Sequence, residues 1–252
     1  MQSKTKIILG PPGTGKTHNL LNLVEEELAK GTPPDRIAFV AFTKKAATEA
    51  RDRAMKKFNL EEQHLPYFRT LHSFAFNQLG LTKSEVMSRD NYKEFGQTFG
   101  MDLEHHYNES NLQDMSWHSL LRAQRSLEEF KKKKEIFDFT DMIELYLDSG
   151  PVPKLEVVFV DEAQDLCKLQ WRMINKITEN ARQVYISGDD DQAIYNWAGA
   201  DVRYFIQLPG EVETLKQSFR CSRVIQNLSG RIINRVKLRR DKQWRGTERA
   251  GL

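Results

Sequence analysis

The chain has 252 residues, of which 39% are hydrophobic and 29% are charged, and its net charge is +3. This length suffices for one or two domains with a sizeable core, and the charge is too small to establish a nucleic-acid partner by itself. The two cysteines, Cys167 and Cys221, exclude a disulfide framework, and no apolar run reaches the length of a membrane span. We therefore expect a soluble, cytoplasmic protein.

A phosphate-binding loop follows the first predicted strand. Residues 7–9 are apolar, and residues 10–17 read Gly-Pro-Pro-Gly-Thr-Gly-Lys-Thr, which is the G-x-x-x-x-G-K-[ST] pattern. Its glycines let backbone N–H groups face a phosphate, Lys16 can reach the β- and γ-phosphates, and the Thr17 hydroxyl is a suitable Mg²⁺ ligand. The bland alternative is a turn between a strand and a helix. The predicted nucleotide-binding residues are Gly10, Pro11, Pro12, Gly13, Thr14, Gly15, Lys16, Thr17 and His18.

Strands and helices then alternate. The helix after the loop is expected to bury its leucines and to turn the three glutamates at 25–27 outward. Residues 37–41 form an uninterrupted apolar run, which is typical of a parallel strand covered on both faces. Thr43 is the predicted N-cap of a helix that runs to about Phe58, and residues 67–70 form a third predicted strand.

The remaining elements complete an α/β pattern. Further strands are predicted at 157–160, 183–187 and 213–215, with the last of these closing the series. A basic helix is predicted from Ser222 to about Arg240. Strands that alternate with helices favour a right-handed parallel sheet. The predicted divisions are a main domain of residues 1–76 and 138–222, a helical insertion at 77–137 and a basic C-terminal region at 223–252.

Two acidic side chains follow the clearest predicted strand. Asp161 and Glu162 come directly after residues 157–160, at the edge where open α/β sheets bind ligands. We interpret Asp161 as a residue that holds Mg²⁺ and Glu162 as the residue that polarises an attacking water. A helix N-cap is the alternative for Asp161.

A second acidic turn follows the strand at 183–187. Residues 188–192 read Gly-Asp-Asp-Asp-Gln, and Gln192 can sense a γ-phosphate or position the water. A solvated turn is the alternative, and no chemistry is assigned to Asp190 or Asp191.

Aromatic and basic residues come next in the chain. Tyr195 and Trp197 lie in a polar setting, where they can stack on the bases of a single strand or else belong to the core. Arg220 follows a strand and can stabilise charge on a γ-phosphate, although an ordinary surface arginine is the alternative.

These segments, taken in order, resemble the UvrD/Rep/PcrA family of superfamily 1 DNA helicases. The segments that carry the resemblance are 10–17, 41–47 (AFTKKAA), 69–74 (RTLHSF), 160–165 (VDEAQD), 188–200 (GDDDQAIYNWAGA) and 217–222 (QSFRCS). The segments at 10–17, 160–165 and 188–200 are each specific enough to indicate the family when taken alone. The resemblance implies a RecA-like domain, in which helices cover both faces of a parallel sheet, with a helical insertion.

The resemblance also implies functional residues. ATP and Mg²⁺ would be served by Lys16, Thr17, Asp161, Glu162, Gln192 and Arg220, with Thr17 and Asp161 at the metal. Phe219 stands where a tyrosine often stacks on adenine in the family. Single-stranded DNA, or a junction of single and double strands, would contact Phe42, Thr43, Lys44, His72, Phe74, Tyr195 and Trp197. Lys44 and Ala198 replace a frequent asparagine and a frequent arginine.

Motors of this family close two RecA-like domains on ATP. We expect the second domain to lie outside these 252 residues, so that the chain alone binds ATP·Mg²⁺, hydrolyses it slowly and unwinds nothing. A nucleotide-gated single-strand-binding or adaptor protein without significant hydrolysis is the alternative function. A phosphotransferase is disfavoured because no acceptor-binding segment is visible.

Overall fold

A computed structural model of the chain describes residues 4–98 and 117–248. The chain divides into two compact units, the first formed by Met1–Phe74 with Val152–Leu252 and the second by Ala75–Pro151. The sequence placed these boundaries at residues 77 and 137. The helix Phe139–Ser149 therefore lies in the second unit and not in the main domain.

A six-stranded parallel sheet forms the centre of the first unit. Its strands are β1 (Lys4–Leu9), β2 (Ile37–Ala41), β3 (Phe68–Thr70), β4 (Val157–Val160), β5 (Gln183–Gly188) and β6 (Glu211–Thr214). Their order across the sheet is β3-β2-β4-β5-β1-β6, and every pairing is parallel. All residues of β2 and β4 are buried, as their uninterrupted apolar sequences predicted. The predicted α/β fold class is confirmed.

Helices alternate with the strands along the chain. They are α1 (Lys16–Ala29), α2 (Lys44–Phe58), α3 (Leu71–Gln78), α4 (Arg89–Thr98), α5 (Trp117–Lys134), α6 (Phe139–Ser149), α7 (Lys168–Thr178), α8 (Val202–Gln207) and α9 (Arg223–Ile233). Thr43 caps α2 as predicted, because its hydroxyl accepts a hydrogen bond from the Ala46 N–H at 3.3 Å. Within the described ranges, no helix combines the length and the apolar character that a membrane crossing requires.

One prediction about α1 is wrong. Of the three glutamates expected to face outward, only Glu26 is exposed, whereas Glu25 and Glu27 are buried. The Glu25 carboxylate accepts hydrogen bonds from Arg53 at 2.7 Å, and Glu27 accepts one from Arg182 at 2.5 Å. Arginines from other parts of the chain thus compensate both buried charges. The prediction failed because the periodicity of α1 does not reveal partners that lie outside the helix.

The C-terminal region also differs from its prediction. Helix α9 ends at Ile233 and not near Arg240, and residues 213–215 do not form the last strand. Two further strands, β7 (Gln217–Ser222) and β8 (Arg245–Thr247), pair in parallel. Beyond the helix, Arg239, Arg240 and Lys242 are bound by aspartates that follow β5, and the chain then returns to β7.

The second unit is helical in its described residues, as predicted for the insertion. A small core joins α4 to α5 and to the chain that precedes α6. Its buried side chains are Met87, Tyr92, Phe95, Leu127 and Ile136. Lys131 is buried and bound by the carboxylates of Asp138 at 2.9 Å and Asp141 at 2.8 Å, which ties α5 to the start of α6. Residues 99–116 of the predicted insertion lie outside the described residues.

Candidate functional site

Three loops of the first unit leave neighbouring strands at the same edge of the sheet. The phosphate loop follows β1, the Asp161–Glu162 pair follows β4, and the Asp189–Gln192 turn follows β5, which lies between the other two strands. Because parallel strands end at one edge, the predicted phosphate, acidic and glutamine residues converge although the sequence separates them widely.

The phosphate loop is shaped by its glycines. Gly13 and Gly15 have φ values of 73° and 79°, which only glycine adopts readily. The Lys16 side chain folds back over the loop and donates a hydrogen bond to the Gly10 carbonyl at 3.1 Å. A Cβ atom at Gly10 would lie 1.9 Å from Lys16 Cγ, so any side chain there would displace the lysine.

The loop meets the acidic pair through Thr17. Its hydroxyl donates to Asp161 Oδ2 at 2.7 Å, while Asp161 Oδ1 accepts the Glu162 N–H at 3.0 Å. Burial raises the pKa of Asp161 to about 6, and the neighbouring charge of Glu162 acts in the same direction. The N-cap alternative for Asp161 is not supported, because Glu162 occupies the cap position of the short turn that follows.

The donor set at Thr17 and Asp161 suits Mg²⁺. A hydroxyl and a carboxylate are hard oxygen ligands, and Mg²⁺ is commonly held by one or two such protein groups together with phosphate and water. Among the residues that the structure describes, no cluster of three histidine, cysteine or acidic side chains could enclose a metal by itself. A metal at this edge would therefore take its remaining ligands from a nucleotide and from water.

Glu162 sits beside the lysine of the loop. Its Oε2 lies 3.8 Å from Lys16 Nζ, and the side chain remains partly exposed. The backbone of Glu162 is left-handed, with φ of 52°, a conformation that costs a non-glycine residue roughly 1–3 kcal/mol. Strained backbone of this kind occurs preferentially at functional sites.

Gln164 connects the two acidic turns, a role that the sequence did not suggest. This residue is buried, and its amide nitrogen donates to Glu162 Oε2 at 2.9 Å and to Asp165 Oδ2 at 3.0 Å. Its amide oxygen accepts the Asp189 N–H at 3.0 Å. Gln164 belongs to the family-like segment at 160–165, which was the only signal available.

The turn after β5 is not solvated, contrary to the alternative considered for it. Asp189 is 1% exposed, and its Oδ2 accepts a hydrogen bond from Gln192 Nε2 at 2.6 Å. The amide of Gln192 is thus held by a buried carboxylate. Lys242, which lies 53 residues further along the chain, donates to the same carboxylate at 2.8 Å, and nothing in the sequence indicates this contact.

Strand β7 lies against the phosphate loop. The Phe219 N–H donates to the Gly13 carbonyl at 2.8 Å, and the Ser218 hydroxyl donates to the Pro12 carbonyl at 2.7 Å. A Cβ atom at Gly13 would lie 2.3 Å from Arg220 Cβ, so the two backbones approach closely. Phe219 and Arg220 consequently flank the loop, and both side chains are exposed.

Exposed aromatic rings lie near the ends of β2 and β5. Phe42 and Tyr195 stack with ring centroids 5.9 Å apart, and Trp197 lies 6.2 Å from Tyr195. Trp197 is 63% exposed, which rules out the core alternative for its ring. Lys44 is exposed at the start of α2.

Three further side chains were predicted to contact DNA or the nucleotide, and their surroundings are as follows. Phe74 is 1% exposed and its ring packs against Tyr67, so the structure places it in the core and contradicts its prediction as a DNA contact. His72 is half-buried on α3. His18 Nδ1 lies 3.1 Å from Arg53 Nη1, beside the loop.

The fold and the site define a nucleotide-binding protein of the P-loop NTPase class. The chain belongs to the AAA domain family, which matches residues 1–198. It is 24% identical to the ATP-dependent DNA helicase PcrA of Staphylococcus aureus, over 94% of this chain and 39% of that protein. It is 25% identical to a probable DNA helicase of Mycoplasma pneumoniae, over 84% of this chain and 49% of the relative.

A third relative is the ATP-dependent DNA helicase Rep of Buchnera aphidicola, which is 25% identical over 83% of this chain and 37% of its own length. The predicted relationship to the UvrD/Rep/PcrA helicases is confirmed. The chain spans less than half the length of each of these relatives.

Proposed function

We propose that the chain is the ATP-binding part of an ATP-dependent DNA helicase or translocase, which binds and hydrolyses ATP with Mg²⁺ and contacts single-stranded DNA. The observation that carries this proposal is the 2.7 Å contact between Thr17 and Asp161, because it brings the phosphate loop onto the acidic pair. The similarity to PcrA and Rep supports the reaction class.

In the proposed reaction each residue has a limited task. Lys16 compensates the charge of the β- and γ-phosphates, while Thr17 and Asp161 would hold Mg²⁺, which neutralises phosphate charge when bound. Glu162 accepts the proton of the attacking water, since its carboxylate is half-exposed at the same edge. Gln192 orients the water or senses the γ-phosphate, and Arg220 on β7 adds positive charge beside the loop.

The proposed DNA surface is the group of exposed rings formed by Phe42, Tyr195 and Trp197. Stacking on aromatic faces is a sequence-tolerant way to hold single-stranded bases. Lys44 and the cap residue Thr43 lie at the adjoining start of α2, where a phosphate backbone would find positive charge.

We propose that a second RecA-like domain completes the motor. Helix α9 leaves four apolar side chains exposed along one side, at Val224, Ile225, Leu228 and Ile232. Contiguous exposed apolar surface of this kind marks an interaction site. Without that domain the chain should hydrolyse ATP slowly, because an arginine supplied by a partner domain can contribute roughly 10³–10⁵ in rate.

Titration of the chain with a fluorescent ATP analogue and Mg²⁺ tests the proposal. Lys16→Ala should weaken binding by about a hundredfold, since charge-assisted contacts to two phosphates are lost. Lys237→Ala, at an exposed lysine outside the site, is the matched control and should bind like the wild type. Equal affinities for wild type and Lys16→Ala would refute the site. Tight ATP binding without phosphate release, even with the second domain supplied, would favour the adaptor alternative.

A further inference from the structure

A single buried lysine holds the acidic turn that carries Gln192. Lys242 Nζ lies 2.8 Å from Asp189 Oδ1, 2.5 Å from Asp190 Oδ1 and 3.0 Å from Asp191 Oδ2. The Lys242 side chain is 1% exposed, as is that of Asp189. Three consecutive carboxylates therefore converge on one ammonium group away from solvent.

The segment that delivers Lys242 is itself bound to the turn. Arg239 forms two hydrogen bonds with the Asp191 carboxylate, at 2.8 and 2.6 Å, and the Arg240 N–H donates to Asp190 Oδ2 at 2.7 Å. Strand β8 then pairs with β7, which contacts the phosphate loop. The segment at 234–248 consequently joins the turn after β5 to the strand beside the loop.

The carboxylate of Asp189 is shared between this lysine and the proposed γ-phosphate sensor. Asp189 Oδ1 accepts from Lys242, while Oδ2 accepts the amide of Gln192 at 2.6 Å. If the ammonium group were removed, three carboxylates would remain close together with Arg239 as their main partner, and the turn could not keep its present geometry. The orientation of the Gln192 amide thus depends on Lys242.

Stability alone does not account for this arrangement. A buried ion cluster recovers little more than the cost of desolvating its charges, but it fixes geometry strictly because each group needs its partner in place. A strictly fixed turn is of use where a side chain must meet a ligand at a defined position.

We propose that Lys242 is a positioning residue, which acts through Asp189 to hold Gln192 in the orientation that recognises the γ-phosphate. This inference rests on the proposed ATP site. It assigns a nucleotide-discriminating role to a residue that follows α9 and lies outside the phosphate loop and the acidic pair.

The test compares ADP with a non-hydrolysable ATP analogue, each with Mg²⁺, on the 252-residue chain. The affinity ratio of the two nucleotides measures γ-phosphate recognition, whereas ADP affinity alone reports whether the loop is folded. Lys242→Met should lower the ratio about tenfold, as expected for loss of a hydrogen bond to a charged group, and leave ADP affinity within about twofold. Gln192→Ala should lower the ratio equally. The double variant should be no worse than either single one, because both changes remove the same interaction.

Two variants serve as controls. Lys242→Arg keeps the charge and should retain most of the ratio, and Lys237→Met at an exposed lysine should retain all of it. If Lys242→Met is too unstable to purify, Lys242→Met with Asp190→Asn removes one charge of each sign and should show the same loss.

Several results would overturn the inference. The first is a normal affinity ratio in Lys242→Met when Gln192→Ala has lost it. The second is an equal loss of ADP and ATP-analogue binding in Lys242→Met. The third is an additive effect when Lys242→Met and Gln192→Ala are combined. A wild-type chain that binds neither nucleotide would instead refute the proposed function, and the inference with it.

Discussion

The two acidic turns at the sheet edge differ in how their charge is compensated. Among the described residues, Asp161 forms no ion pair, and its burial raises its pKa to about 6. Asp191 is only partly buried, and although its burial acts to raise its pKa, hydrogen bonds from Arg239 and the charge of Lys242 outweigh this and bring the pKa below the ordinary value. Among the described residues, Asp161 of the first turn is thus buried without a paired cation, whereas Asp191 of the second turn is paired with both Arg239 and Lys242.

This difference separates two uses of buried acids. A buried carboxylate without a paired cation is suited to bind a metal or a proton, and its unpaired charge weakens the fold. A carboxylate with its own cations fixes the backbone around it. Sequence shows only that both strands are followed by aspartates, so the two uses become distinguishable in three dimensions.

The largest expected effect concerns Glu162 in the first turn. Glu162→Gln should keep ATP and Mg²⁺ binding but slow hydrolysis by about 10²–10⁴-fold, because the amide cannot accept the proton of water. ATP binding and single-turnover phosphate release should be measured separately. Glu26→Gln, at an exposed glutamate on α1, is the control and should hydrolyse normally. Hydrolysis by Glu162→Gln within tenfold of wild type would show that Glu162 is not the base.

A second prediction addresses the unfolding free energy of the metal-free protein. Asp161 has a pKa of about 6 when folded and 3.8 as its ordinary value, so the folded state binds the extra proton between these pH values. Stability should therefore fall as pH rises from about 4 to 6, by up to about 3 kcal/mol from this group. Asp161→Asn removes this loss and should be more stable than wild type at pH 7.5 in EDTA, with the difference vanishing near pH 4.

Urea unfolding at several pH values checks this prediction. The asparagine can keep both contacts of Asp161, since its amide nitrogen can donate to the Thr17 hydroxyl and its oxygen can accept the Glu162 N–H. With Mg²⁺ and ATP added, the order should reverse, because only the aspartate offers a charged ligand to the cation. A variant less stable than wild type in EDTA at pH 7.5 would mean that Asp161 is already compensated.

The smallest expected effect lies outside both turns. Changing Tyr195 and Trp197 together to alanine should weaken single-stranded DNA binding by about 1–3 kcal/mol per base lost, with little dependence on sequence. Phe219→Ala is the matched control, since its exposed ring lies beside the nucleotide loop and should affect nucleotide but not DNA. Fluorescence anisotropy with oligonucleotides of different composition, and a thermal melt, decide the matter. If the double variant folds stably and its DNA affinity is unchanged, Tyr195 and Trp197 do not contact DNA.

Most of the sheet was predictable because local sequence determines it. Strands β2 and β4 match their predicted bounds, since a strand buried on both faces must be apolar throughout. The convergence of the phosphate loop with Asp161 was also predictable, because parallel strands place their following loops at one edge.

The features that sequence missed depend on partners far along the chain. Glu27 is buried against Arg182, which lies 155 residues away, and Asp189 is bound by Lys242, 53 residues away. No period or motif within α1 or after β5 indicates those partners. The same holds for the chain after α9, because residues 234–248 have no apolar period and three of them, Arg239, Arg240 and Lys242, are bound by the aspartates of another loop.

Gln164 restricts the chemistry that its position can accept. One end of its amide donates to Glu162 and Asp165, while the other accepts from the backbone of Asp189. A glutamate could not donate, a lysine could not accept, and an asparagine is one carbon shorter. Gln164 therefore links Glu162, the proposed hydrolytic acid, to the turn that carries Gln192, the proposed sensor. Through these hydrogen bonds, a movement of either loop is transmitted to the other.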